Sequence, residues 1–551
     1  MSESRPLKYF LGLPQESSSE EVGDALSNAV LSAASDNDSE SSNSLDSILY
    51  MLEKEEHTNL VQSLDLFNIF NSLLTSTKTK AHDIMLLIGQ HSSSKELLIV
   101  VQEAVERLQG NIQSESDFTD QPSPTIQLAV LVKLYSLSLP RVNSRRRTPE
   151  DTLGPVLSDL QSALRVCASE ATHEDALVLV QNVFEMIRSV LLWVQGMDGC
   201  SSDVIAACTT RLRALADATV VSYHPSFRFN VAQRSFQRSF PRLILPSAKP
   251  LDSHGQDPAV TLILDTYSSL GRSFSALPEQ PSIEFLILVS HQLPSPIIPS
   301  LLLSNLMSIF VLSVQQNVAL DESLAILITA LNQIASGSNA AKLSPEIVTP
   351  LCTLLPPLAC GHPDASTRYL IFKILSLLLS LSQPQLRLEI LRDLTSSESA
   401  PQMRIAAIGL IKDAIFEGLS SPSPDLFASP ALFSGLGAIL LRPDPPSFCS
   451  DCDYGQLSES PEPSRLVQCL SLYYAVLTRD QKNLTGVRDP AMIDQVKESL
   501  LTPIRTLTER LSDEELTDDE LLYQNIHLVS LQIGLERVDS AIQQISDDRQ
   551  L

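Results

Sequence analysis

Eight cysteines and nine histidines are the residues of this 551-residue chain that could carry nucleophilic, redox or metal chemistry. The tightest spacing is Cys449-Ser-Asp-Cys452. A C-x-x-C pair can hold zinc when a second pair completes the set, or form a redox couple in a strand–helix setting. No second pair follows here, and no strand pattern surrounds it. Asp444, Asp451 and Asp453 lie close in sequence, and negative charge raises a thiol's pKa and quiets it. The pair is therefore expected to be a chance spacing with neither a redox nor a metal role. Cys352, Cys360 and His362 form a looser group. Cys-x7-Cys-x-His is not a zinc spacing, and small buried cysteines are ordinary on helices. No phosphate-cradling G-x-x-x-x-G-K, no G-x-G-x-x-G, no H-E-x-x-H and no G-x-S-x-G occurs. The chain is expected to be no enzyme, with no catalytic residue, cofactor, metal or small-molecule substrate. One basic cluster stands out, Arg141 with Arg145-Arg146-Arg147 ahead of Thr148-Pro149. It reads first as a solvated loop, with a localisation signal or a contact for an acidic partner as alternatives.

Those residues sit in an acidic chain. Lys and Arg number 39 against 65 Asp and Glu, a net charge of −26. Such a surface repels phosphate backbones and anionic headgroups, so neither nucleic acid nor membrane is an expected partner. The surplus concentrates at the ends: residues 1–60 hold 12 acids and 3 bases, and residues 509–551 hold 11 and 3. Sparse cysteines suit reduced thiols. The polar opening Met1-Ser2-Glu3-Ser4-Arg5 does not read as a secretory leader. A cytoplasmic location, with a nuclear share, is the expectation. The uncharged stretch between Glu284 and Asp321 could imitate a membrane span, but Pro294, Pro296 and Pro299 interrupt it and no basic flank adjoins it. It is expected to be a helix buried on most sides.

The elements that would position these residues are helices. Only 18 glycines and 5% aromatics argue against a β-rich fold. Thr172-His-Glu-Asp opens a run whose apolar positions, Leu177, Val180, Phe184, Ile187, Leu191 and Val194, have helical spacing. Asp257-Pro258 opens another to Leu270, and Asp321 a third that stops at Gly337. Prolines such as Pro345, Pro350, Pro356-Pro357, Pro363, Pro384, Pro401 and Pro430 are expected between helices, as in antiparallel pairs. Gly361–Leu375 and Ser399–Lys412 look alike, each opening an apolar helix after a proline turn, with Arg368 and Arg404 36 residues apart. Both arginines are expected to make stacking contacts between repeats. The expected layout is all-α, a HEAT/armadillo-like solenoid. Residues 1–45 are disordered and acidic, 46–440 form a helical-repeat body, 441–465 a Pro/Ser-rich acidic loop, and 466–551 a C-terminal helical block with an acidic turn. Tyr9-Phe10-Leu11 reads as part of a frayed terminus, with docking back or a short linear motif as the alternatives.

Ile88-Gly-Gln-His-Ser-Ser-Ser-Lys-Glu-Leu and its continuation to Arg107 resemble a stretch near the start of one family. So does the apolar helix Ile126–Leu134 with Lys133. The family unites glomulin, plant aberrant-lateral-root-formation proteins and fungal Yap-binding proteins. Phe240-Pro-Arg-Leu-Ile-Leu-Pro246 and Met403–Ile415 fit its style. The resemblance implies a HEAT-like solenoid without catalysis. Its glomulin branch implies binding to the RING subunit of cullin-RING ubiquitin ligases. Its fungal branch implies binding to a Yap-type bZIP stress factor during the oxidative stress response. Ser-Pro and Ser/Asp runs favour the fungal branch. A HEAT-like assembly chaperone or scaffold is the alternative from outside the family. The partner is expected on residues about 340–551, where the acidic 509–545 segment would speed capture of a basic protein.

Overall fold

The computed structural model describes residues 9, 11–14, 16–35, 44–53, 64–78, 80–114, 120–142, 148–197, 200–226, 230–246, 258–337, 342–512 and 518–548. Every regular element among them is helical. The chain is all-α, built of stacked helix pairs. It divides into two compact units, residues 1–230 with 251–292 and residues 231–250 with 293–551. A boundary thus falls inside the 46–440 stretch that the sequence presents as one body.

The first unit starts with α1 (Ser19–Ser35), α2 (Leu45–Leu52), α3 (Leu66–Leu74), α4 (Ala81–His91) and α5 (Ser94–Gln113). It continues through α6 (Pro124–Ser138), α7 (Pro149–Cys167), α8 (His173–Gln195) and α9 (Ser202–Tyr223). The next helix, α10 (Val231–Ser239), belongs to the second unit, while α11 (Pro258–Ser269) and α12 (Ile283–Ser290) return to the first. Polar caps fix where these helices begin. Thr148 and Asp151 form a reciprocal capping box, Thr172 accepts the Asp175 N–H, and Ser123 accepts the Ile126 N–H ahead of Pro124. Each helix packs on the next in its own layer: α4, α6, α8 and α11 make one layer, and α3, α5, α7, α9 and α12 the other. α6 is caught between α4, α5 and α8 and is buried almost all round. α8 is long and apolar enough to cross a membrane by composition. Its Val180, Phe184, Ile187 and Val194 are instead buried among α6, α9 and α11.

The expectation of a disordered 1–45 does not hold for α1. Val22, Leu26, Val30 and Ala33 recur at helical spacing and are buried against α2 and α3. The Lys78 ammonium donates to the Ala33 carbonyl at 2.6 Å, and the Ser76 hydroxyl to that of Ala34. These bonds satisfy last-turn carbonyls the helix leaves open. Leu11 packs on Val22 and Met51, so part of the Tyr9-Phe10-Leu11 patch docks; Phe10 and residues 36–43 lie outside the described residues. Deleting 1–45 therefore costs stability. The single change Leu26→Ala is expected to lower the unfolding free energy of this unit by about 2–4 kcal/mol. Thermal unfolding followed at 222 nm measures it, and an unchanged midpoint would refute the packing.

The second unit adds α13 (Pro299–Gln316), α14 (Leu320–Ser336), α15 (Pro345–Gly361), α16 (Ala365–Ser380), α17 (Pro384–Thr395), α18 (Pro401–Ser420) and α19 (Ala431–Leu440). Two short helices follow, α20 (Phe448–Asp451) and α21 (Tyr454–Glu459), then α22 (Glu462–Arg479) and α23 (Pro490–Val496). A π turn at Lys497–Leu501 leads into α24 (Thr502–Ser512), and α25 (Asp518–Asp548) closes the unit. Here α10 lies along α14, α13 on α15, α14 on α16, α18 on α22, and α22 on α25.

Four sequence expectations need correction in this unit. α13, in the uncharged stretch, buries only Leu302, Leu303, Leu306, Phe310 and Ser313; Leu301, Ser304 and Ser308 are exposed. Serines suffice to face water, so a chargeless stretch need not be enclosed. Pro350, Pro356 and Pro357 lie inside α15, not between helices. Burial of Ile347, Val348, Leu351 and Leu355 on that helix offsets the hydrogen bonds the prolines remove. Residues 441–465 are not a plain loop, since α20, α21 and the start of α22 occupy them. Finally, Arg368 makes no stacking contact in its hydrogen bonds. Its guanidinium donates to the His362 and Pro363 carbonyls at 2.6 and 2.9 Å, closing the turn just before its own helix. Arg404 does reach another element, the Asp444 carboxylate ahead of α20.

Candidate protein-binding groove

α16 and α18 occupy equivalent places in successive helix pairs, which is what the 36-residue spacing of Arg368 and Arg404 reflects. Asp364 starts α16 by accepting the Thr367 N–H. Pro401 sits in the first turn of α18. Each helix turns one stripe into the core, Ile371, Ile374, Leu375 and Leu378 on the first and Ala407, Ile408, Ile411 and Ile415 on the second. The stripes beside these stay partly open and face one another. Two contiguous hollows of about 480 and 500 Å³ result, sharing Lys373, Ser376, Leu410 and Asp413. Their floor is apolar, with Tyr369 and Phe372 on α16 and Ile405, Ala406, Gly409 and Phe416 on α18. Gly409 lies in mid-helix, where glycine costs about 1 kcal/mol relative to alanine. A Cβ placed there would meet nothing within 4 Å.

Aromatic rings and cations frame the groove. Phe236 on α10 meets Tyr369 edge-on with centroids 5.9 Å apart, and Phe240 stacks beside it at 5.3 Å. The Lys373 ammonium stands 4.9 Å from the centre of the Phe240 ring, and the Arg479 guanidinium 5.6 Å from that of Phe416. Arg387, only 7% exposed, is paired with Glu417 and lies 5.3 Å over Phe427. Partial burial pushes the Asp413 carboxyl up; Lys412, Arg387 and Lys373 pull against that and Glu417 adds to it. Beyond Phe240 the Pro-Arg-Leu-Ile-Leu-Pro segment carries Ile244, which is 89% exposed. A larger hollow of about 640 Å³ between α19 and α23 is floored by small residues such as Ser434, Gly437 and Ala438. Its one carboxylate, Asp489, already accepts from Asn483.

The residues singled out for chemistry lie elsewhere. Cys449 and Cys452 are buried, and the backbone around them is held by Arg510, which donates to the carbonyls of Cys449, Ser450 and Cys452. Burial, reinforced by Glu462 and Cys452, pushes the Cys449 thiol up to about 12; burial and Asp453 push Cys452 up to about 11. Both thiols are thus expected to resist iodoacetamide in the native chain up to about pH 10 and to react at pH 8 once urea exposes them. Rapid native-state labelling at either position, located by peptide mapping, would contradict this. Cys352 is buried inside α15, Cys360 is its penultimate residue, and His362 follows the helix, with its Nδ1 accepting the Asp364 N–H. Among the described residues no three His, Cys, Asp or Glu side chains gather as a metal would need. Arg141 donates to the carbonyls of Gly89, Gln90 and Leu137 at the C-terminal ends of α4 and α6. Arg145, Arg146, Arg147 and the acidic turn at 513–517 lie outside the described residues.

Sequence reasoning missed the groove. Its two walls are separate in sequence and its positions are half-exposed, so neither stands out from one helix's periodicity. The one usable signal was a glycine, Gly409, in the middle of a strongly apolar helix.

The groove residues fall within the part of the chain that a family model matches. The model of a family described as uncharacterised, YAP/Alf4/glomulin, matches residues 261–547. No curated protein matches the chain.

Proposed function

The chain belongs to the YAP/Alf4/glomulin family, and on that premise we propose that it is a non-catalytic adaptor of the Yap-binding branch. It binds a Yap-type bZIP transcription factor and serves the oxidative stress response, from the cytoplasm and in part the nucleus. Family and all-helical fold together support a protein-binding scaffold in general. The single observation that carries the reading further is the open groove on α16 and α18, inside the matched region. A stack of helices makes an extended surface suited to a protein chain. This surface includes apolar positions that no described part of the chain covers. The buried, high-pKa thiols of Cys449 and Cys452 argue for a partner-binding role over thiol exchange by this chain itself.

Affinity purification of the tagged full-length chain from its native cells, with and without peroxide, tests the proposal. A bZIP factor enriched in stoichiometric amounts is the expected result. Recovery of a cullin-ligase RING subunit instead would move the chain to the glomulin-like role. Recovery of assembly intermediates would move it to a chaperone or scaffold. Fragments cut near residue 340 suit this experiment poorly, because the cut strips α13 and α14 from α15 and α16.

A further inference from the structure

We propose that the groove between α16 and α18 receives an acidic amphipathic helix of three to four turns. This rests on the adaptor reading and names the chemistry of the segment it would bind.

Length comes first. The lining runs from Tyr369 to Ser380 on one wall and from Ile405 to Ser420 on the other. At 1.5 Å per residue these walls are about 16 and 22 Å long, three to four helical turns. Backbone chemistry selects the form of the occupant. An extended peptide gains affinity by pairing its main chain with a sheet edge. Both walls here are helices whose amides are already bonded internally, so an extended segment would lose its solvent hydrogen bonds without replacement. A helix brings its own. Ser376, Ala406 and Gly409 at the centre of the floor let an incoming helix approach closely. Leaving Gly409 bare of a side chain costs α18 stability and fills no need of the folded chain, since nothing occupies the space. An occupant from outside gives the bare position a use.

Charge selects the occupant's sign. Arg387 and Glu417 neutralise each other. Lys373 and Lys412 line the groove with no ion pair among the described residues, and Arg479 stands over Phe416; against these three cations stands Asp413. Within a chain of net charge −26, this floor is a basic island. At physiological salt the Debye length is about 8 Å, so the remote acidic ends are screened while the two lysines act at contact. Carboxylates flanking an apolar stripe complement them. The groove therefore favours the opposite sign to the basic partner that the acidic C-terminal end suggests.

The test uses the full-length chain and a fluorescein-labelled 18-residue amphipathic peptide with leucines on one face and glutamates beside them. A matched peptide carries lysine at every glutamate. Anisotropy titrations at 0.15 M salt are expected to show about tenfold tighter binding of the glutamate peptide. The double variant Lys373→Glu/Lys412→Glu should reverse that preference. Gly409→Phe should lose at least about tenfold in affinity while keeping the far-UV spectrum and melting temperature. Equal binding of both peptides, or full affinity in Gly409→Phe, would overturn the proposal. If Gly409→Phe melts lower, the lysine variant decides alone, provided its own melting temperature is unchanged, since both lysines are half-exposed and outside the buried core. A Gly409→Phe chain that still recovers the cellular partner would sink the groove and leave the adaptor reading standing. Loss of every cellular partner by the unaltered chain would sink the adaptor reading instead.

Discussion

Replacing Arg465 with alanine is expected to remove about 3–5 kcal/mol from the stability of the second unit. Arg465 lies in the first turn of α22, its side chain 3% exposed, against Glu462 at 5%. The guanidinium gives two bonds to that carboxylate, at 2.6 and 2.7 Å, and two more to the carbonyls of Ile439 and Arg442. Glu462 in turn accepts the Asp444 N–H, and the Asp444 side chain pairs with Arg404. One arginine thus closes the end of α19, fixes the chain entering α20 and compensates a buried acid. Its removal leaves that acid charged in an apolar setting, the costly outcome for a broken buried pair. The double variant Glu462→Leu/Arg465→Met should recover part of the loss. It should not recover all, because the two carbonyls and the Asp444 N–H remain without partners. Urea unfolding of the three proteins measures both effects. A single variant within about 1 kcal/mol of the unaltered chain would show the network to be dispensable.

The second large effect depends on pH and comes from Glu322. This residue sits in the first turn of α14 and is 6% exposed. Its neighbour Asp321 faces the start of α10 and accepts the N–H groups of Val231 and Ala232, at 2.6 and 3.3 Å. Burial, with the Asp321 charge beside it, pushes the Glu322 carboxyl up to about 8 from 4.5. Burial pushes Asp321 up as well, against the pull of those two N–H groups and of Arg234. Between about pH 4.5 and 8 the native chain therefore keeps a proton on Glu322 that the unfolded chain has released. Stability from this group is full below the unfolded pKa and is lost as pH rises toward 8, by about 1.4 kcal/mol per pH unit. Glu322→Gln removes the titration. Its advantage should be near zero at pH 4.5 and reach about 3–5 kcal/mol at pH 8.5. Parallel stability profiles for the two proteins across that range would refute the assignment.

Much of the architecture is legible in local chemistry. Thr148, Thr172 and Asp364 cap helices because a short side chain before an apolar run can reach a free N–H. The Leu177–Val194 periodicity is the stripe α8 turns into its layer. The likeness of Gly361–Leu375 to Ser399–Lys412 is the likeness of α16 to α18. What stayed hidden has nonlocal causes. In α1 four serines and three acids are interleaved with the apolar residues, so average composition masks the Val22, Leu26, Val30 stripe that periodicity alone would have shown. Residues 441–465 are ordered by Arg465 and by Arg510, whose hold on Cys449, Ser450 and Cys452 comes from about 60 residues downstream. Nothing in that segment's own composition announces them. Asp321 was legible as the opening of α14 but not as the cap of α10, some 90 residues earlier. Residues 88–107 and 126–134, which resemble the family, lie ahead of the family match at residues 261–547.

The layering in which each helix of the first unit rests on the next in its layer has a consequence for mechanics. In such a stack a disturbance is handed on only from neighbour to neighbour, and each interface absorbs part of it. The end pairs can fray while the middle stays shut, and hydrogen exchange should grade from the ends inward within each unit. A helix settling on α16 and α18 would stiffen the pairs it touches, with little felt several pairs away. The protein is then suited to act as a template, holding one segment of another chain in a set shape, and poorly suited to act as a lever that carries a signal along its length.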